Sequence, residues 1–201
     1  MDIALFTIIA YLLGAVPFGL LVARSKGVDI RKQGSGNIGA TNVLRVIGKG
    51  WGVFTLVLDA LKGFVPAFVF PMLGNLDSEW GALFGLAAIL GHTFPVYLGF
   101  KGGKGVATSA GMLLGVAPAA VGVGLVCWIA VMALSRYVSL ASIVAAIAVA
   151  VAVWVRGDKA LVVNIALTLL AALVVWLHRA NIKRLLNGTE NRFGKKKGEK
   201  A

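Results

Sequence analysis

Three polar segments interrupt an otherwise apolar chain, and they carry the residue types that bind phosphate. We name them the first loop (residues 34–45, GSGNIGATNVLR), the second loop (residues 101–105, KGGKG) and the third segment (residues 178–184, HRANIKR). Backbone N–H groups of glycine-rich turns can form a concave anion site, and Lys or Arg adds charge and directed hydrogen bonds. The three segments therefore predict chemistry on phosphate-bearing substrates at a membrane surface.

The composition predicts that these segments lie between membrane helices. Of the 201 residues, 59% are hydrophobic and 14% are charged, whereas a soluble domain has about 45–50% apolar and about 25% charged residues. Several runs without charge approach the roughly 20 residues that a transmembrane helix needs. We therefore expect an all-α integral membrane protein. The single cysteine, Cys127, excludes a disulfide framework.

The net charge of +12 raises the question of nucleic-acid binding. The cations cluster at the ends of the apolar runs, and aromatic residues do not alternate with them, as they would in many nucleic-acid sites. Orientation in the bilayer explains this distribution better. We expect no nucleic-acid partner.

The apolar runs predict the number of membrane spans. They cover residues 3–23, 51–73, 80–100, 106–134, 138–155 and 160–177. The fourth run is longer than one span needs and contains Pro118, which removes a helical hydrogen bond. This run can therefore form one kinked helix or two short helices that meet near residues 116–118.

The positive-inside rule favours the second alternative. With the N-terminus outside and seven helices, two of them short around Pro118, every Lys and Arg except Lys62, Arg156 and Lys159 lies on the cytoplasmic side, as do the three polar segments. Six helices would leave the third segment and the basic tail outside. We expect residues 1–190 to form one transmembrane domain and residues 191–201 to form a disordered, basic cytoplasmic tail.

The first loop matches the G-x-G-x-x-G pattern of dinucleotide-binding folds, but no strand precedes it, so we expect no such fold. A plain glycine-rich connection is one interpretation. The residues that follow favour a function, because a helix that starts near Thr41 would direct its free N–H groups and its dipole at an anion. Arg45 would lie one turn further along that helix.

The second loop resembles a Walker A loop only superficially, because Leu98 stands where that motif has glycine and Gly105 where it has Ser or Thr. A charged turn that anchors the topology is one interpretation. The glycines around Lys101 and Lys104 also fit a backbone nest with a cation, followed by a helix from Val106.

The third segment spaces His178, Asn181 and Arg184 at i, i+3 and i+6, so we expect them to share roughly one helix face. Its other cations can extend to lipid headgroups. His92 has a weaker case as a site residue, because no other polar residue of functional interest shares its turn.

Asp59 and Lys62 lie one turn apart inside the second span. Each charge costs roughly 2.5–3.5 kcal/mol at a helix centre, so we expect a mutual ion pair. The pair can be a structural brace or part of the site floor. Ser139 and Ser142, near the start of the sixth helix, can likewise face the site or a neighbouring helix.

No activated nucleophile is evident, since the chain has no G-x-S-x-G elbow and no close Cys–His pair. No His, Cys or carboxylate residues show metal-ligand spacing. We therefore expect neither a metal nor a cofactor, and a reaction that depends on positioning and charge stabilisation.

The three segments resemble the signature motifs of the bacterial acyl-phosphate:glycerol-3-phosphate acyltransferases. The second motif spans residues 99–108 (GFKGGKGVAT) and the third spans residues 178–185 (HRANIKRL). Residues 59–63 (DALKG) and 91–97 (GHTFPVY) are similar to further family segments, so the resemblance covers nearly the whole chain. One departure is Ala180, where the family often has Glu.

The resemblance implies a seven-helix enzyme of the bacterial inner membrane with its active site on the cytoplasmic side. It would transfer an acyl group from acyl phosphate to the sn-1 hydroxyl of glycerol 3-phosphate, giving lysophosphatidic acid and inorganic phosphate. This is the first step of bacterial phospholipid synthesis. Neither acyl-CoA nor acyl carrier protein would serve as donor, and the oligomeric state stays open.

The resemblance also implies roles for the site residues. Arg45 and Lys104 would bind glycerol 3-phosphate. The acyl-phosphate cradle would consist of Ser35, Asn37, Gly39, Ala40, Thr41, Gly102 and Gly103. The catalytic candidates are Ser35, His178 and Asn181, and the supporting candidates are Asp59, Lys62, Ser142 and Arg184. The substrate phosphate would accept the hydroxyl proton, with His178 as general base the alternative.

A function of another class is a transporter or channel for phosphate or phosphate esters, because glycine nests with cations would serve that purpose too. Transport would be favoured by polar residues along the midplane of several helices. Asp59 and Lys62 are nearly alone there.

Overall fold

The structure is a computed structural model that describes residues 2–194. Throughout this part of the chain the regular structure is helical, with no β-strand. The chain divides into two compact units, one up to Pro118 and one from Ala119 onward. We describe each unit by itself.

The first unit contains the first two polar loops and the helices that hold them. Its α-helices are α1 (Ile3–Ala15), α2 (Phe18–Ser25), α3 (Ala40–Val46), α4 (Lys49–Phe64), α5 (Phe70–Gly74), α6 (Trp80–Thr93) and α7 (Val106–Val116). A π-helical turn, Val65–Val69, joins α4 to α5, and short 3-10 turns occupy Ile30–Lys32 and Val96–Leu98.

The first span is broken at Val16 and Pro17, which separate α1 from α2. Proline has no N–H to donate and restricts the residue before it. The apolar run of residues 3–23 therefore predicted the extent of this helical segment, Ile3–Ser25, but not its break.

Glycines let the helices of this unit approach closely. A Cβ on Gly14 would collide with the backbone of Ala88, which brings α1 against α6. In the same way a Cβ on Gly63 would collide with the backbone of Thr108, where α4 meets α7. Such contacts between small residues are typical of helix packing in membranes, where lipid gives no hydrophobic drive for association.

The second unit contains α8 (Pro118–Ser135, apart from its first residue), α9 (Val138–Arg156), α10 (Leu161–Leu177) and α11 (Arg179–Leu186). Helix α8 begins at Pro118, a position where the missing N–H costs nothing. The break near residues 116–118 was predicted correctly, but the expectation of two short helices was wrong for the second. Helix α7 has 11 residues, whereas α8 has 18.

The described helices make this a multi-pass membrane protein. Five helical segments are long and apolar enough to cross a bilayer, or six if the bent pair of α10 and α11 forms one span. The five are Ile3–Ser25, Lys49–Gly74, Trp80–Leu98, Pro118–Ser135 and Val138–Arg156. Helix α7 is about 16 Å long at 1.5 Å per residue, so it is too short to cross a hydrocarbon core of about 30 Å by itself. The number of seven and the orientation of the termini therefore stay predictions.

Helices α10 and α11 are bent by 52° where they meet. His178 is the residue at this bend, and it lies in neither helix. His178 caps α11, since its carbonyl accepts from the Ile182 N–H at 2.9 Å. That His178 and Asn181 share roughly one helix face stays a prediction. The beginning of the predicted tail, residues 191–194, is described, and the Phe193 N–H donates to the Arg136 carbonyl at 2.8 Å. The rest of that tail, residues 195–201, lies outside the described residues.

Candidate active site

The first loop is organised by the buried side chain of Asn42, whose exposed fraction is 2%. Its Nδ2 lies 2.8–3.2 Å from three carbonyl oxygens and its Oδ1 accepts from the Ser35 N–H at 2.9 Å; the three carbonyls belong to Ile30, Gln33 and Asn37. Gly34 and Gly36 have φ of 61° and 70°, a left-handed conformation that glycine adopts without steric cost. Asn42 and these glycines together fix the path of the loop.

Helix α3 begins within the first loop, at Ala40, one residue before the predicted start. The Asn37 Oδ1 accepts from the Gly39 N–H at 2.8 Å. No intramolecular acceptor within residues 2–194 takes the N–H of Ala40 or Thr41, as expected for the first turn of a helix. The first loop therefore leaves two amides and a helix dipole open to an anion.

The second loop uses its amides differently. The Gly102 N–H donates to the Thr93 carbonyl and the Gly103 N–H donates to the His92 carbonyl, both at 3.1 Å. These carbonyls belong to the last turn of α6, where a helix leaves C=O groups without partners. The predicted backbone nest at Gly102 and Gly103 is therefore wrong, because both N–H groups are already bonded. The loop still presents Lys104, and Val106 starts α7 as predicted.

A buried charged cluster lies beneath the second loop. Lys62 Nζ is 2.8 Å from Asp59 Oδ1, which confirms the predicted ion pair, and it also donates to the Val16 carbonyl at 2.8 Å. His92 Nδ1 lies 3.7 Å from the same Asp59 oxygen. His92 is thus part of a polar cluster that its own helical turn did not reveal.

One hydrophobic cluster links the surroundings of the two loops. Leu20, Ala23, Ile30 and Ile38 form its buried part, and Leu98 packs against it. Ile38 belongs to the first loop, and Leu98 lies three residues before Lys101 of the second. The first unit therefore brings the bases of the two loops to one region.

The third segment and α9 meet at Glu190 in the second unit. Its carboxylate accepts from Asn181 Nδ2 at 2.7 Å, from Arg184 Nε at 2.7 Å and from Ser139 Oγ at 3.0 Å. Burial raises the pKa of Glu190, but these three hydrogen bonds outweigh it, and the pKa lies below its ordinary value. The structure thus brings Asn181 and Arg184 together around one carboxylate.

His178 and Ser142 are both buried in the second unit. His178 Nδ1 lies 2.8 Å from the Val174 carbonyl. Because a carbonyl only accepts, Nδ1 carries the proton, and in the neutral ring Nε2 is then the basic nitrogen. Ser142 Oγ donates to the Val138 carbonyl at 2.8 Å and lies 3.4 Å from Trp128 Nε1.

The sequence reasoning missed Glu190, and it underrated His92. Glu190 is a lone carboxylate between the basic residues of the third segment and those of the tail, which is a signal that could have been used. His92 depends on Asp59, which lies 33 residues away in the sequence. A pattern within one helical turn could not reveal that partner.

The glycerol-3-phosphate acyltransferase family model matches residues 4–188 of the chain. The glycerol-3-phosphate acyltransferase of Geobacter sulfurreducens is 51% identical over 94% of this chain and 96% of its own length. That of Aquifex aeolicus is 48% identical over 94% of this chain and 99% of its own length.

Two crystal structures are also similar. Both are of PlsY (YgiH), an integral membrane glycerol 3-phosphate acyltransferase. The glycerol 3-phosphate form has a TM-score of 0.91 at 45% identity. The lysophosphatidic acid form has a TM-score of 0.86 at 44% identity. Each covers 96% of both chains. In the part of the chain that the structure describes, no three His, Cys, Asp or Glu residues are grouped to hold a metal ion.

Proposed function

Because the chain belongs to the glycerol-3-phosphate acyltransferase family, we propose that it transfers an acyl group from acyl phosphate to the sn-1 hydroxyl of glycerol 3-phosphate. The products are lysophosphatidic acid and inorganic phosphate, which makes the reaction the first step of phospholipid synthesis. The observation that carries this proposal is the similarity, over 96% of the chain, to an enzyme solved in glycerol 3-phosphate and lysophosphatidic acid forms.

The first loop suits the phosphate of the acyl donor. The open N–H groups of Ala40 and Thr41 and the hydroxyl of exposed Ser35 are donors for phosphate oxygens. Asn37 supports them, because it fixes the Gly39 N–H. Gly39 also lets the donor approach the backbone closely. In this assignment Gly102 and Gly103 do not donate to the donor phosphate; they hold the second loop on α6.

Arg45 and Lys104 supply the charge for glycerol 3-phosphate. Arg45 lies in the last turn of α3 and Lys104 directly follows the two bonded glycines. A guanidinium presents paired donors to phosphate oxygens, whereas an ammonium acts as a compact point charge. Together they would neutralise most of the charge of a phosphate monoester.

The reaction needs no protein nucleophile, since an acyl phosphate is already a reactive mixed anhydride. The glycerol hydroxyl oxygen attacks the acyl carbonyl carbon, the bond between that carbon and the phosphate oxygen breaks, and the hydroxyl proton passes to the departing phosphate. Ser35, His178 and Asn181 orient the reacting oxygens, and Asn181 is itself held by Glu190 at 2.7 Å. Preorganised donors of this kind lower the barrier by stabilising developing charge.

His178 as general base is the alternative to proton transfer within the substrates. The bond from His178 Nδ1 to the Val174 carbonyl leaves Nε2 as the basic nitrogen, which suits either an accepting or an orienting role. His178→Ala separates them. A general base typically accelerates the reaction 10²–10⁴-fold. A loss of only a few-fold in kcat would therefore exclude His178 as the general base.

The membrane arrangement belongs to the same proposal. This arrangement has the N-terminus outside and seven spans, with α7 counted as a short one. All three polar segments then lie at the cytoplasmic surface of the inner membrane. Every Lys and Arg except Lys62, Arg156 and Lys159 then lies on that side. Soluble glycerol 3-phosphate would approach from the cytoplasm and the fatty chain of the donor from the lipid leaflet.

The test uses purified protein in detergent with palmitoyl phosphate and glycerol 3-phosphate. We expect phosphate release and lysophosphatidic acid in equal amounts, with glycerol in place of glycerol 3-phosphate as the control that gives neither. Release that does not depend on glycerol 3-phosphate would overturn the proposal. A transporter would instead move labelled glycerol 3-phosphate into sealed proteoliposomes without acyl donor, and we expect no such flux.

A further inference from the structure

We propose that Asp59, Lys62 and His92 form a buried positioning network that holds the second loop, and with it Lys104, in place for glycerol 3-phosphate. The inference rests on the proposed function, because it takes Lys104 as a ligand of that substrate. The three side chains belong to the first unit and come from two helices, α4 and α6.

The network begins at the break in the first span. Lys62 Nζ donates to the Val16 carbonyl at 2.8 Å and pairs with Asp59 at 2.8 Å. The exposed fractions of the Lys62 and Asp59 side chains are 2% and 3%. The ammonium therefore has one partner on the broken segment between α1 and α2 and another on its own helix. This fixes the place of the Asp59 carboxylate.

The Asp59 carboxylate in turn faces His92 on α6. The distance of 3.7 Å to Nδ1 is longer than a hydrogen bond, so the contact is electrostatic and orients the ring. The ring is 7% exposed. A Cβ on Gly103 would collide with His92 Nε2. The edge of the ring opposite Asp59 therefore lies directly against the second loop.

The backbone fastens the loop at the same place. The Gly103 N–H donates to the carbonyl of His92 itself, and the Gly102 N–H donates to the carbonyl of Thr93. The ring sets how far the loop can approach α6, while the two hydrogen bonds prevent it from moving away. Lys104 is the next residue, so its starting position follows from these contacts.

A purely structural brace would not need these charges. Replacing a buried ion pair by well-packed apolar residues is often neutral or stabilising, and charge within a membrane span is costly. Ion pairs and hydrogen bonds do hold side chains in defined orientations, which apolar packing does less strictly. Since a misplacement of about 1 Å can cost about 10²-fold in an active site, orienting the loop that carries Lys104 is a function with a measurable effect.

The experiment compares His92→Ala, His92→Asn and the double variant Asp59→Leu/Lys62→Met, which leaves no unpaired charge. Thr55→Ala is the matched control: Thr55 is a buried polar residue of α4 whose hydroxyl donates to the Trp51 carbonyl of its own helix at 2.9 Å. Steady-state kinetics give KM for each substrate and kcat. Binding of labelled glycerol 3-phosphate without donor and the midpoint of thermal unfolding are measured on the same preparations.

We expect His92→Ala and the double variant to raise the KM and the Kd for glycerol 3-phosphate by roughly tenfold. The KM for palmitoyl phosphate should stay within about twofold. His92→Asn, which retains a nitrogen near the position of Nδ1 but lacks the ring edge that lies against Gly103, should recover only a small part of the loss. Thr55→Ala should change neither KM.

The proposal is overturned if the network variants unfold at lower temperature yet keep the wild-type KM and Kd for glycerol 3-phosphate, or if both KM values rise equally. A wild-type protein that neither binds nor acylates glycerol 3-phosphate would overturn the proposed function and this inference together. Wild-type activity with unchanged variants would overturn the inference alone.

Discussion

The first and second loops have similar compositions but use their backbone amides in opposite ways. In the first loop the N–H groups of Ala40 and Thr41 have no acceptor among residues 2–194. In the second loop the N–H groups of Gly102 and Gly103 are bonded to α6. Glycines with cations therefore do not by themselves identify an anion nest.

The difference follows from the helix ends that the loops meet. The first loop contains the N-terminus of α3, whose first N–H groups have no partner within the helix. The second loop folds back onto the C-terminus of α6, whose last carbonyls have no partner within the helix. The first loop can thus offer amides to a ligand. The second offers a cation on a loop that its own amides have fastened.

The largest effect should come from Asn42→Ala in the first loop. This change leaves the three carbonyls and the Ser35 N–H without the partner that holds them, and each buried unsatisfied group costs about 1–3 kcal/mol. We expect a loss of at least about 100-fold in kcat/KM for palmitoyl phosphate, measured by phosphate release. Gln33→Ala is the control, because only the backbone carbonyl of Gln33 accepts from Asn42. Wild-type activity in Asn42→Ala would mean that the loop does not depend on this residue.

Gly103→Ala should have the next largest effect, confined to the second loop. The new methyl group would collide with the His92 ring, so the loop must move and carry Lys104 with it. We expect the KM for glycerol 3-phosphate to rise by roughly tenfold or more. Gly50→Ala is the control, since a Cβ there meets nothing within 4 Å. An unchanged KM would show that the contact with His92 does not position Lys104.

Asn37→Ala should have a smaller effect on the first loop. It removes the acceptor of the Gly39 N–H, and one such hydrogen bond contributes about 0.5–1.5 kcal/mol. We expect the KM for palmitoyl phosphate to rise by a few-fold, with Asn37→Ser closer to wild type because its hydroxyl keeps an acceptor without adding a negative charge beside the phosphate. A rise in the KM for glycerol 3-phosphate alone would reverse the assignment of the two loops.

The smallest effect should come from Glu190→Gln, which removes the carboxylate that accepts from Asn181 and Arg184 of the third segment. The pKa of Glu190 is lowered by its three hydrogen bonds despite its burial. The stability it contributes is therefore present above its unfolded pKa of about 4.3 and is lost as the pH falls through the folded value. Thermal unfolding from pH 7 to pH 3 should show a steeper loss for wild type than for Glu190→Gln. Parallel curves would contradict this role.

Much of the fold followed from sequence periodicity and charge. Four features depend on neighbours within a few turns. They are the extents of the apolar helices, the break before Pro118, the start of α3 near Thr41 and the pairing of Asp59 with Lys62. Local rules capture such features. The all-helical membrane fold and the family were confirmed for the same reason, because long apolar runs and the loop motifs are both local patterns.

The remaining features depend on tertiary contacts. They depend on which elements pack against each other. Examples are the bonding of the Gly102 and Gly103 amides to α6, the proximity of His92 to Asp59 and the bend at His178. Helix α8 is also not short as expected, since proline at the first position of a helix does not shorten it. The roles of the individual site residues stay predictions.

The most direct test of separate phosphate sites in the two loops is inhibition by an acyl phosphonate, which resembles the donor but cannot transfer its acyl group. Its inhibition is measured against each substrate in turn. In this account the first loop holds the donor phosphate, and Lys104 and Arg45 hold the phosphate of glycerol 3-phosphate. The phosphonate should then compete with palmitoyl phosphate and not with glycerol 3-phosphate. Competition with both substrates would mean one shared phosphate site and would contradict this account.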